Sequence, residues 1–320
     1  CRTRRSAETS QAGSGRANPS RAVQPRPVVD LPAWPPAGHT VPMEPLVHPV
    51  RSTDGVTLTV EEFGTAGDAA SVVFLPALGV PLAYYRKLLA AWSARDRHVV
   101  GVELRGMPQS PVADLRRDGF GYAHLVREDL PAVFAGTAVA AASRVVLAGH
   151  SLGGQLALLS GAAGTVRPDA VITIGTGTSS HAAHTTRLGR ARRAAGIRFV
   201  GAVTCSLGYW PGHRLGFAGR QPRTLMADWG YEARHGRYRL RGDRTDYEAA
   251  LADMSLPALL IDIAGDRMIP AAAVDHLARR LPGHVDRAQL EATPDHFRWA
   301  RRAPDKVIDG IEPWLAARDL

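Results

Sequence analysis

The chain has 320 residues, 45% hydrophobic and 22% charged, and its 39 basic against 30 acidic residues leave a formal net charge of +9. That length and apolar content support a large core, in one α/β domain or two small ones, and no apolar run reaches the roughly 18 residues needed to cross a bilayer. Two cysteines, Cys1 and Cys205, are too few for a disulfide framework or a cysteine-rich metal site, and Cys205 is expected as a small buried apolar residue.

Residues 1–42 are rich in Arg, Ser, Gly and Pro and hold few bulky apolar side chains, so a disordered tail is expected there. No apolar stretch follows its arginines as in a secretory leader; Cys1 could mark a processed lipoprotein, but a fragment or an over-extended start, with Met43 a plausible beginning, is the favoured reading, and a soluble, cytoplasmic protein is expected. From residue 47 the pattern turns β-like: runs at 47–51 and 56–63 flank Asp54-Gly55, a hairpin signal. Residues 71–75 form an apolar strand entering a small-residue turn that ends at Gly79; helical spacing covers 82–94, an apolar strand 98–104, and helical spacing again 120–135. A strand at 145–147 leads through a glycine-rich turn to a helix over 155–163, with strands at 170–175, 256–263 and 285–290, and helices at 274–281 and 305–317. Strands alternating with helices predict an α/β fold, a mostly parallel central sheet with helices on both faces.

One segment breaks the alternation. Residues 178–253 lie between two predicted core strands and are too long for a simple connection, so they are expected to form a cap over the C-terminal sheet edge, inserted into a core of 43–177 and 254–320. Its Tyr209, Trp210 and Trp229, with Tyr231 and Tyr238, could line a pocket or pack the cap onto the body. The cap holds thirteen Arg against six acidic residues and the tail six Arg against Glu8 and Asp30, so the core is nearly neutral. Without an aromatic-studded basic helix or a recognisable binding module, nucleic acid is not an expected partner; the oligomeric state is left open.

Gly149-His150-Ser151-Leu152-Gly153 matches G-x-S-x-G between a strand and a helix, the context in which a serine is held on a strained bend with its hydroxyl exposed. Gly149 and Gly153 lack Cβ atoms, which lets strand and helix approach closely enough to make the bend. A serine hydroxyl needs a base, and the base a partner that fixes its tautomer; behind such an elbow they follow in the order acid, histidine. Asp266 lies in a turn just past the strand at 256–263, whereas Asp262 lies within that strand and is expected to point into the sheet packing. Of the histidines downstream, His276 falls in a predicted helix and His284 in the turn before the last strand, both read as surface residues; His296, in the loop after that strand, is the expected base. His150 is read as structural, and His181 and His184 lack a third ligand for a metal, so no metal or other cofactor is expected. Two backbone N–H groups should hold a tetrahedral oxyanion: Leu152, and in the turn after 71–75 Leu78 ahead of Ala77, since Pro76 has no amide hydrogen.

With these residues placed, the chain resembles the α/β-hydrolase superfamily over residues 45–317. Leu104-Arg105-Gly106-Met107-Pro108-Gln109-Ser110 is similar to the R-G-x-G-x-S turn of lipase, esterase and cofactor-free haloperoxidase relatives, with Pro108 in place of a glycine. The run 75–80 with Tyr84-Tyr85, the elbow, the cap run 208–216 and Asp295-His296-Phe297 together resemble a bacterial family of α/β hydrolases without an assigned substrate. The resemblance implies a serine hydrolase acting on a small-molecule ester or related acyl compound. Acyl transfer, thioester cleavage or perhydrolysis on the same residues, and a receptor that uses the pocket only to bind, are the alternatives.

Overall fold

The computed structural model describes residues 44–117, 119–282, 285–291 and 295–320. The expected tail, Met43, His284 and residues 293–294 of the loop before His296 lie outside these. Among the described residues ten strands form: β1 (Leu46–Arg51), β2 (Thr57–Phe63), β3 (Ser71–Leu75), β4 (Val99–Val102), β5 (Val145–His150), β6 (Ala170–Ile174), β7 (Tyr209–Pro211), β8 (Arg220–Pro222), β9 (Ala258–Ile263) and β10 (Val285–Leu290). Eight of them make one sheet in the order β1-β2-β4-β3-β5-β6-β9-β10, with β1, β2 and β4 antiparallel neighbours and every pairing from β4 onward parallel. The β1–β2 turn closes where predicted, with Gly55 at φ +89° and its N–H donating to the Ser52 carbonyl.

Helices α1 (Arg86–Ser93), α2 (Tyr122–His124), α3 (Leu130–Gly136) and α4 (Leu152–Ala162) accompany the first strands. Helices α5 (Arg187–Leu207), α6 (Gly212–Leu215), α7 (Arg223–His235) and α8 (Tyr247–Ala252) lie between β6 and β9, and α9 (Ala271–Ala278), α10 (Trp299–Arg302) and α11 (Pro304–Ala316) end the chain. The helix expected over 82–94 is broken: a 3-10 turn at Leu82–Tyr84 precedes α1, and the fully buried Tyr85 sits at the joint. The helix expected over 274–281 starts earlier, because Pro270 opens it and three alanines without an apolar stripe fill its first turn.

Alternation along the strands divides the interior into two cores. Val73 and Leu75 of β3 and Leu147 of β5 enter one core with α4, while Val72, Phe74 and Val146 enter the other with Trp92 of α1 and Trp314 of α11. In the second core Arg97 and Glu312 form a buried, two-pronged pair at 2.7–3.0 Å, and Trp92 Nε1 donates to the same carboxylate at 2.9 Å. Both partners must be present, since an unpaired charge left there would cost about 3–5 kcal/mol.

The segment between β6 and β9 has structure of its own: α5 packs on α7, and β7 and β8 form an antiparallel hairpin. Cys205 is exposed on α5 rather than buried as expected. The apolar inner stripe of that helix is Ile197, Val200 and Thr204, and Cys205 falls off it. No helix among the described residues is long and apolar enough to cross a membrane.

Candidate active site

Ser151 joins β5 to α4 with φ +53° and ψ −112°, a sparsely populated backbone conformation for a residue with a Cβ. The bend depends on its glycines. A Cβ at Gly149 would lie 2.2 Å from the Gly153 carbonyl carbon, and one at Gly153 would lie 2.0 Å from the Leu75 carbonyl oxygen at the end of β3. Leu152 is the first residue of α4, so its N–H has no partner within the helix.

Asp266 and His296 come together from separate turns. His296 Nδ1 donates to Asp266 Oδ2 at 2.6 Å, and Asp266 Oδ1 accepts from the Met268 and Ile269 N–H groups at 2.7 and 3.1 Å. Both side chains are about 5% exposed or less, so the acid is fixed on both oxygens and the imidazole is held by one nitrogen. His296 Nε2 is buried and has no hydrogen-bond partner among the described residues; the Ser151–His296 hydrogen bond is not formed. Asp262 points, as expected, into the sheet, where Arg287 (2.8 Å) and Gln289 (2.8 Å) take its two oxygens. Asp295 accepts from the Phe297 and Arg298 N–H groups at 2.9 Å, which bends the chain immediately around His296. His276 is half-buried against Gly236 rather than at the surface. Among the described residues no group of three or more His, Cys, Asp or Glu could hold a metal ion.

His150 does not point away from this site. Its ring centroid lies 4.7 Å from that of His296, and its Nδ1 is 2.7 Å from the Tyr85 hydroxyl. The Tyr85 oxygen also accepts from the Ala77 N–H at 3.2 Å. Burial, then the neighbouring His296, push the His150 pKa well below the ordinary range, and burial raises that of the Tyr85 phenol, so both are neutral. The Ala77 amide is thereby occupied, which leaves Leu78 as the candidate donor of that turn.

A cleft of about 620 Å³ opens beside this turn. Its floor includes Gly79 and Pro81, one wall is the Gly106–Pro108 turn with residues 111–116, and the other is the β7–β8 hairpin with Tyr209 and His213. Trp210 and Trp229 are packed inside the insertion instead: the Trp210 Nε1 donates to the Phe217 carbonyl at 2.8 Å, and Trp229 faces Phe217 at 5.5 Å. Glu103 braces floor and wall, with its buried carboxylate accepting from the N–H groups of both Leu82 and Gln109. Gly79, at φ +72°, meets the insertion backbone to backbone; a Cβ there would lie 2.2 Å from Ala218.

The alpha/beta hydrolase family model matches residues 72–309. The chain belongs to the alpha/beta hydrolase family. Solved structures share the fold of this hydrolase at low identity. Mouse alpha/beta hydrolase domain-containing protein 10 is 14% identical with a TM-score of 0.60, over 85% of this chain and 99% of that one. E-2-(acetamidomethylene)succinate hydrolase is 21% identical with a TM-score of 0.53, over 85% and 99% of the two chains. A bacterial membrane phospholipase A is 17% identical with a TM-score of 0.57, over 86% of each. No curated protein sequence matches.

One buried carboxylate ties the insertion of this hydrolase to the body, and a second ties the first residues of the insertion to α7. Asp228 on α7 accepts from Tyr122 N–H at the start of α2 and from Arg241 N–H, both at 3.0 Å, while Glu232 accepts from the Thr178 hydroxyl and from the Ser179 N–H. Burial outweighs the two N–H groups at Asp228 and pushes its pKa up to about 6 from 3.8. Between those values the folded protein holds a proton the unfolded chain has lost, so this group's contribution to stability falls as pH rises through the window. The stability of the wild type relative to Asp228→Asn is expected to fall by about 2 kcal/mol from pH 4 to pH 7. Denaturant titrations across that range check it, and a pH-independent difference would contradict the buried, raised carboxyl.

Sequence reading gave no role to three residues that hold this site: Tyr85, Glu103 and Arg105. Arg105 is buried and clamps Asp54 and Asp129, fixing the turn that forms one wall of the cleft. Arg105 and Tyr85 stood only within the runs that carry the family resemblance, and nothing local marked Glu103.

Proposed function

We propose that this hydrolase is a serine hydrolase that cleaves a carboxylic ester or related acyl bond through an acyl-enzyme. The observation that carries the reading is the buried Asp266–His296 pair, with Nε2 buried and unpartnered among the described residues and its ring 4.7 Å from that of His150, the neighbour in the chain of a serine held at positive φ. In this reading Ser151 Oγ attacks the carbonyl carbon as His296 Nε2 takes its proton, and the Leu78 and Leu152 N–H groups hold the oxyanion. Collapse of the tetrahedral intermediate breaks the bond to the leaving alcohol, which takes the proton from His296. Water, deprotonated by the same nitrogen, then attacks the acyl-serine and releases the acid. Asp266 positions the imidazole and stabilises its charged form. Residues 178–253 serve as the cap, and its seat on Gly79 supports a role in closing the gorge.

Hydrolysis of 4-nitrophenyl butyrate tests the assignment. His296→Ala and Asp266→Asn are each expected to lower kcat by about 10³-fold or more with the fold retained by circular dichroism. Wild-type turnover in either variant would remove that residue from the mechanism. Acid as the only product distinguishes hydrolysis from transfer to an added alcohol or to peroxide.

A further inference from the structure

We propose that the cleft between residues 106–116 and the β7–β8 hairpin is a subsite for an anionic group, a carboxylate or phosphate, on the substrate; this deepens the serine hydrolase reading and rests on it. Arg116 and Arg220 reach Tyr209 from opposite walls of this cleft, with guanidinium carbons 5.1 and 5.6 Å from the centre of the same ring. Two like charges brought to one aromatic ring repel each other, and attraction to the ring face offsets that only in part. The buried guanidiniums of Arg97, Arg105 and Arg287 are each matched by carboxylates. Among the described residues neither Arg116 nor Arg220 has an ion-pair partner. Asp114 also lines the cleft, but one of its oxygens accepts from the Arg116 N–H at 2.8 Å and it lies 3.9 Å from the Arg117 guanidinium.

The side chains are set to receive an anion. Arg116 Nε donates to the Leu207 carbonyl at 3.1 Å, which fixes the guanidinium and leaves its outer N–H groups to a ligand, and His213 lines the same cleft. A volume of about 620 Å³ exceeds what a free inorganic anion fills, and the floor at Gly79 and Pro81 adjoins Leu78, the proposed oxyanion donor. In this proposal the anion held here belongs to a molecule whose acyl carbon lies at Ser151, because Gly79 follows Leu78 directly in the chain. The thirteen Arg and six acidic residues of 178–253 add a long-range field that favours the approach of such substrates.

Two matched ester pairs separate the possible positions of the charge. Mono-4-nitrophenyl glutarate against 4-nitrophenyl hexanoate places it on the acyl side, and 4-acetoxybenzoate against its methyl ester places it on the alcohol side. In at least one pair the wild type is expected to prefer the anionic member in kcat/KM, and Arg116→Gln/Arg220→Gln to reduce that preference about ten- to hundredfold, mainly through KM. Arg192→Gln, on the exposed face of α5, is the control for long-range attraction. An unchanged preference in the double variant, or an equal loss in Arg192→Gln, would overturn the subsite. If no ester of either pair is turned over, the hydrolase reading fails separately, and calorimetric titration of glutarate, 4-hydroxybenzoate and inorganic phosphate decides the subsite. Binding of an organic anion that the double variant loses supports it; binding of none, or of phosphate alone, overturns it.

Discussion

Ser151→Ala is expected to lower kcat on any ester substrate by about 10⁴- to 10⁶-fold while leaving the fold intact. The loss is large because no other hydroxyl lies on the strained bend, and the remaining residues have no nucleophile to activate. The same position makes a second, opposite prediction about stability. Ser151 holds φ +53° and ψ −112°, and such a conformation costs a residue with a Cβ about 1–3 kcal/mol. Glycine relieves that strain but loses about 0.5–1 kcal/mol in chain entropy. Ser151→Gly is therefore expected to be as inactive as the alanine variant yet more stable than it by about 1 kcal/mol in urea titrations. An alanine variant that keeps activity, or a glycine variant clearly less stable than it, would contradict the account of the bend.

Gly153→Ala is expected to have the largest effect on the architecture, a loss of about 3–5 kcal/mol in stability with a fall of at least 100-fold in kcat. Its Cβ would lie 2.0 Å from the Leu75 carbonyl oxygen and 2.6 Å from its carbonyl carbon. Both are backbone atoms of a central strand, so no side-chain rotation relieves the clash and the start of α4 must move off β3. That movement displaces the Leu152 N–H and Ser151 together. Gly196→Ala on α5 is the matched control, because no atom lies within 4 Å of the added methyl group. Helix propensity alone should raise stability there by about 0.5–1 kcal/mol. Denaturant titrations of both variants measure the contrast, and similar small effects at the two positions would refute the close approach.

The parts of this fold legible in the sequence are those written in local signals. Short apolar runs mark the central strands, and glycines at 149 and 153 mark a turn that nothing larger can make. The pairing of Asp266 with His296 was expected from sequence because Asp266 lies in the turn after one strand and His296 in the loop after the next, and the two side chains do meet. What was illegible depends on contacts across the chain. Tyr85 reaches His150, 65 residues away, and Glu103 joins Leu82 to Gln109; neither partner changes the local pattern. The insertion was legible as a length but not as elements, because α5 is built of Arg, Ala and Gly around a thin apolar stripe. Its Trp210 and Trp229 look like pocket residues until Phe199 and Phe217 are placed against them.

The central claim is that Ser151 is activated by His296 and Asp266, and covalent labelling with a fluorophosphonate reads this most directly. Stoichiometric labelling is predicted, mapped by mass spectrometry to the peptide that holds Ser151, abolished in Ser151→Ala and slowed at least 100-fold in His296→Ala. Labelling at another residue, or labelling of the wild type no faster than of His296→Ala, would contradict the account.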